Sequence, residues 1–136
     1  MVAYSKYQDF VEQLCRGVHD FSSHTFKVAL SNGTPSAAHT TRSAISELST
    51  ANGYTSGGQT VTIGISETAG TVTVTAADPT AWTASGAGIT FRYAALYNDT
   101  SASDNLVAYW DNGSSTTVTS GKTLAIDFAT TLFTLT

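Results

Sequence analysis

Cys15 is the only cysteine among 136 residues, so no disulfide closes within the chain and folding does not depend on oxidation. A lone thiol beside Leu14 reads as inert core or helix surface. Charge is scarce as well: charged residues make up 12 % of the chain, about half the usual share of roughly 25 %. Disordered segments show the reverse balance, so this chain folds. Six basic residues (Lys6, Arg16, Lys27, Arg42, Arg92 and Lys122) are scattered and form no stripe. Nucleic-acid phosphates would find little here to release their counterions, and no nucleic-acid partner is expected. No apolar run reaches the length of a membrane-spanning helix, and no membrane partner is expected. Met1 to Tyr7 lacks the apolar core and cleavage site of an export signal, which points to a product made in a cytoplasm.

Chemically ambitious clusters are missing too. His19, His24 and His39 are the three histidines, and no cysteine or carboxylate completes a metal-ligand spacing around them. They read as solvent-facing or capping imidazoles. Serines abound near His19 and Asp20, yet none sits in a nucleophile elbow. The aspartates fall at loops and strand ends, where turn chemistry explains them. The glycine-rich stretches Gly57-Gly58 and Ser85–Gly88 open no helix and carry no phosphate-binding lysine, so they read as tight turns. The expectation is a protein that is not an enzyme, with no catalytic residue, no metal and no cofactor.

What the chain does have is apolar material: 41 % hydrophobic and 10 % aromatic residues, enough for one substantial core. Its exterior must then be built of Thr, Ser, Asn and Gly. A surface with so little self-repulsion suits a subunit packed among neighbours better than a freely diffusing enzyme.

Tyr7, Phe10, Val11, Leu14 and Val18 recur at spacings of three and four, which predicts one amphipathic helix over about 5–17. Ser5 and Gln8 have the capping-box spacing, and Gly17 ends the helix. Thr25 to Leu30 alternates as a half-buried strand. The stretch of about 31–58 is an irregular excursion with a brief helical candidate over Arg42–Leu48, anchored by Ile45 and Leu48. From 59 to 136 the pattern is all β: Val61, Ile63 and Ile65 share a face, and Glu67–Gly70 forms a hairpin turn. Asp78-Pro79 breaks the run, Asn112-Gly113 makes a turn, and strands cover Thr123–Phe128 and Thr130–Leu135. The reading is a single domain over 1–136, mainly β (α+β): an antiparallel β-sandwich or barrel-like fold with one N-terminal amphipathic helix.

The segments YSKYQDFVEQLCRGVHDF, SHTFKVALSN, NGYTSGG, DPTAWTASGAGITFRYAALYNDT, LVAYWDNGSS and SGKTLAIDF together resemble a family of small virion proteins of tailed bacteriophages. The likeness spans nearly the whole chain. GITFRYAALYND and LVAYWDNGSS are its most specific parts. The resemblance implies a capsid decoration (cement) protein that binds the major capsid protein on the outer surface of the head. It implies a virion location after synthesis in the host cytoplasm, and a homotrimer by analogy with other decoration proteins. It offers no catalytic motif. Contact is expected from the N-terminus, through Tyr4 and Tyr7, and from the excursion, through Ile45, Leu48 and Tyr54. A tail or head-to-tail connector component is the alternative within structural proteins. A glycan or host-attachment module is the alternative from another class, since Trp82, Trp110, Tyr54, Tyr93, Tyr97 and Tyr109 could line a sugar surface.

Overall fold

The computed structural model describes residues 3–136, and Met1 and Val2, the start of the expected N-terminal contact, lie outside them. The fold is mainly β, with antiparallel sheets and one helix. One sheet has five strands in the order β1 (Ala3–Lys6), β8 (Leu106–Val118), β7 (Ile89–Asn98), β2 (Phe26–Ser31) and β3 (Gln59–Val61). The other has three, in the order β10 (Thr131–Leu135), β5 (Thr71–Ala76) and β4 (Ile63–Thr68). A short pair, β6 (Trp82–Thr83) with β9 (Thr123–Leu124), closes one side. Phe26, Val28, Leu30, Leu96 and Trp110 of the large sheet pack with Val74, Ala76 and Leu132 of the small one, and Phe10, Ile126 and Phe128 fill the same core.

A second, smaller core covers the far face of the large sheet. Tyr7, Ala29, Ile45, Ala95, Tyr97 and Leu106 form it, with Tyr109 packed alongside. β7 is therefore buried on both faces over its second half, from Tyr93 to Asn98. The two faces are not read by simple alternation. Phe91 and Ala94 both point to the main core, because the register shifts between Phe91 and Tyr93. Opposite that step, β8 spends the residues from Asp111 to Thr116, and Gly113 takes a φ of 85° there. Arg92 clamps the irregularity through two hydrogen bonds to Asp111, of 2.9 and 3.1 Å. The Asn112-Gly113 turn is thus a loop-out within one long strand, and Ile89, Phe91 and Tyr93 do not share a face.

The helix also differs from its expected span. Ala3–Lys6 pairs with β8 as a strand, and the Tyr7 N–H extends the ladder to the Val107 carbonyl at 3.1 Å. Tyr7 then caps the helix in an extended conformation, without a side-chain capping bond. Helix α1 runs over Gln8–Cys15 only, and Ser5 plays no capping part. Its end follows the expected chemistry. Val18 N–H reaches the Gln13 carbonyl, Gly17 N–H reaches Leu14, and Gly17 has a φ of 75°, a Schellman ending.

Three further elements are shorter or split. The Arg42–Leu48 candidate is a single 3-10 turn over Arg42–Ala44, because Ile45 drops into the second core. Val61 closes the large sheet whereas Ile63 and Ile65 belong to the small one, so the chain changes sheet at Thr62. Between β9 and β10 the backbone leaves the ladder; Phe128 N–H instead donates to Asp78 Oδ1 at 2.8 Å. The Glu67–Gly70 hairpin is present, with Ala69 and Gly70 both at positive φ, the two-residue turn that suits strand twist.

Candidate contact surface

The expected contact residues divide sharply. Tyr7 (0 % exposed), Ile45 (2 %) and Tyr54 (2 %) are core residues and present nothing to a partner. Leu48 is half-buried against the main core, with its N–H bonded to the Leu30 carbonyl at 2.9 Å. Tyr4 alone is exposed, at 39 %. The excursion is packed by the anchors read from the sequence, Ile45 and Leu48, but those anchors face inward.

Tyr54, expected at the contact, is buried because its hydroxyl stands in for a strand partner. Strand β3 stops after pairing with Val28, so Leu30 N–H has no strand partner on that side. The Tyr54 hydroxyl accepts it at 3.0 Å and donates to Glu47 Oε1 at 2.7 Å. Burial, and then the Glu47 carboxylate, push this hydroxyl's pKa far up. Glu47 also accepts from Gly57 N–H and from Arg42, which bridges on to Asp104. Tyr54→Phe should lower stability by about 1–3 kcal/mol, because it strands the buried Leu30 N–H and leaves Glu47 Oε1 with the Gly57 N–H as its remaining donor. Urea denaturation of the two proteins measures this.

The surface that is open lies elsewhere. Register places Ile65, Val74 and Phe133 in one row across the small sheet, and Glu67, Val72 and Leu135 in the next. All six point to the same face, since directly opposed residues do. Val74 is covered, Phe133 and Val72 are half-covered, and Ile65 and Leu135 stand 52 % and 46 % exposed. The inner face of the small sheet thus runs past the core that covers its other end. Helix α1 continues this strip. Val11 is 43 % exposed, and Tyr4, Lys6, Phe10, Val11 and Leu14 line a groove of about 170 Å³ with Phe133, Thr134 and Leu135. Tyr4 stands edge-on to Trp110 at 5.8 Å, and partial burial raises its pKa. Strands β1 and β10, which border the groove, are each the edge of their sheet.

Sequence reasoning names Tyr4 and the helix stripe, Val11 included, but does not mark Val11, Ile65 and Leu135 as exposed. The available signal was the length of the hairpin: six-residue strands on each side of a two-residue turn reach further than one small core covers.

Other clefts offer less. Arg42, Ser43, Glu47, Ser56, Ser103 and Asp104 line a polar depression of about 310 Å³, where Arg42 is already paired with both carboxylates. Trp82, Trp110, Tyr93 and Tyr97 are buried, so none of them presents a ring for stacking. Among the described residues, no group of three or more His, Cys, Asp or Glu is placed to hold a metal ion. Among the described residues, no helix is long and apolar enough to cross a membrane. No protein-family model, no curated protein and no solved structure matches the chain.

Proposed function

We propose that the protein is a non-enzymatic structural subunit of a tailed-phage virion, a decoration protein that docks on the outer surface of the head and stabilises the capsid. The observation that carries this reading is the exposed apolar groove of Tyr4, Val11 and Leu135, with Ile65 open on the same sheet face as Leu135, on a domain with an otherwise Thr- and Ser-rich exterior. Contiguous uncovered apolar surface on a small domain marks a binding face. The resemblance of the GITFRYAALYND and LVAYWDNGSS segments to phage virion proteins supplies the partner, the major capsid protein.

The physics of the role needs no chemistry at the site. Packed DNA presses outward on the shell, and a small domain seated across subunit junctions adds contact area that resists their separation. Repetition around a trimer multiplies modest contacts into avidity. A sugar-binding reading has less support, because the aromatic rings that would stack on a glycan are mostly in the core. The test is to mix purified protein with expanded, undecorated heads. Saturable binding that raises the heads' melting temperature supports the reading. Unchanged heads at saturating protein overturn it.

A further inference from the structure

The connection between α1 and β2 is held from the far end of β7 by one side chain. Asn98, fully buried, directs its amide nitrogen at the Val18 carbonyl (3.0 Å), His19 Nδ1 (3.2 Å) and His24 Nδ1 (3.0 Å). Its oxygen accepts from Thr100 and Ser101 N–H at 3.0 and 3.2 Å, so the amide cannot turn round. An amide nitrogen donates through two hydrogens and accepts nothing, so these three neighbours share the two hydrogens and each must accept. Both imidazoles must therefore be bare at Nδ1. The proton of His19 then sits on Nε2, which is buried without a partner. Around that ring stand Phe10, Phe21 and Phe26, with centroids 5.4 to 6.2 Å away.

We propose that Val18–His24 is an acid-released latch: protonation of His19 frees the segment from Asn98 and uncovers Phe21, while both sheets remain folded.

Protonation turns His19 Nδ1 from an acceptor into a donor aimed at the Asn98 amide and leaves a cation among phenyl rings. Burial already pulls His19 from 6.5 down to about 4, with His24 acting in the same direction and Asp9 opposing. The closed state thus holds its proton more weakly than the open one. Closure is fully favoured above about pH 6.5 and is lost progressively as pH falls toward 4. The charged groups around the latch are Asp9 on α1, Asp20 within it, and the Lys27–Asp99 pair at its far end. Hydrogen bonds from Ser22 and Ser23 hold the Asp20 carboxyl far below the usual carboxylate range, so Asp20 stays ionised throughout the window.

The segment is bounded by anchors that do not titrate. Val18 N–H is fixed to Gln13 by the helix ending, and Thr25 is tied to Asp99 N–H and the Thr100 hydroxyl, both at 2.9 Å. Phe21 stacks on Phe26 at 4.5 Å and meets Phe10 and Phe133 edge-on. Phe10 and Phe133 also line the apolar groove, so opening enlarges that surface.

Amide hydrogen exchange on the free protein, corrected for intrinsic rates, tests this between pH 7 and 4.5. The expected result is a loss of protection of at least about tenfold at Ser22–His24 and their neighbours, with β2 and β7 unchanged. The variant His19→Phe should keep that protection at pH 4.5. Should the variant not fold, imidazole resonances of the unmodified protein decide: His19 protonation must coincide with the local loss. Uniform loss across the sheets, no local loss by pH 4, or equal loss in the variant overturns the latch.

Discussion

Replacing Ile65 and Leu135 together with lysine should leave the domain folded and weaken its binding to expanded heads by at least about 100-fold. Both side chains are about half exposed, 52 % and 46 %, so the free protein loses little packing when they change. In the docked state each would give up about 1 kcal/mol of remaining apolar burial, and each lysine would add the desolvation of a charge. A total near 3 kcal/mol is about a hundredfold in affinity. Titration of heads with labelled protein measures it, and a circular-dichroism melt of the free variant checks the fold. Equal affinity with an intact fold would place the contact elsewhere on the domain.

Gly58→Ala should be the most damaging single methyl in the chain. Gly58 has a φ of 71°, and a Cβ built there would stand 1.8 Å from the Val28 carbonyl oxygen and 2.6 Å from its carbon. Those atoms are backbone of a central strand and cannot rotate away. The left-handed conformation itself costs about 1–2 kcal/mol for a residue with a Cβ. Relieving the clash must also part β2 from the chain entering β3, where Val28 pairs with Gln59. We expect a loss of at least about 3 kcal/mol, in the range reserved for named backbone or core defects. Gly70→Ala is the matched control: its φ is 83° and nothing lies within 4 Å of the added carbon. It should show only the conformational cost of about 1 kcal/mol. Denaturant midpoints of the two variants separate clash from strain.

Much of this architecture could be read from local pattern. The β-rich class, the helix ending at Gly17, the 67–70 hairpin and the break at Asp78-Pro79 each depend on residues within one turn of each other. What failed depended on partners far along the chain. Ser5 and Tyr7 fit a helix by spacing, yet Ala3–Lys6 finds β8 more than a hundred positions away and becomes a strand. The faces of β7 could not be assigned without the shift at Arg92, whose guanidinium is held by Asp111, 19 positions away. His19 carries no local mark of burial; its acceptor role is set by Asn98, 79 positions distant.

The candidate site was legible only in part, for a related reason. Aromatics in an irregular loop suggested exposure, but Tyr54 serves as a strand's missing partner, and Ile45 and Tyr97 share a second core that no periodicity announces. Ile65 and Leu135 look like core residues in sequence because they are on the core side of their sheet. They are open because that sheet outruns its cover, a property of relative lengths in three dimensions.

Cryo-electron microscopy of expanded heads saturated with the protein addresses the docking claim most directly. The account predicts ordered density on the outer shell, with α1, β10 and the β4–β5 hairpin turned toward the major capsid protein and the Tyr4–Leu135 groove filled by it. Heads that stay bare, or density in which that groove faces solvent, would contradict it.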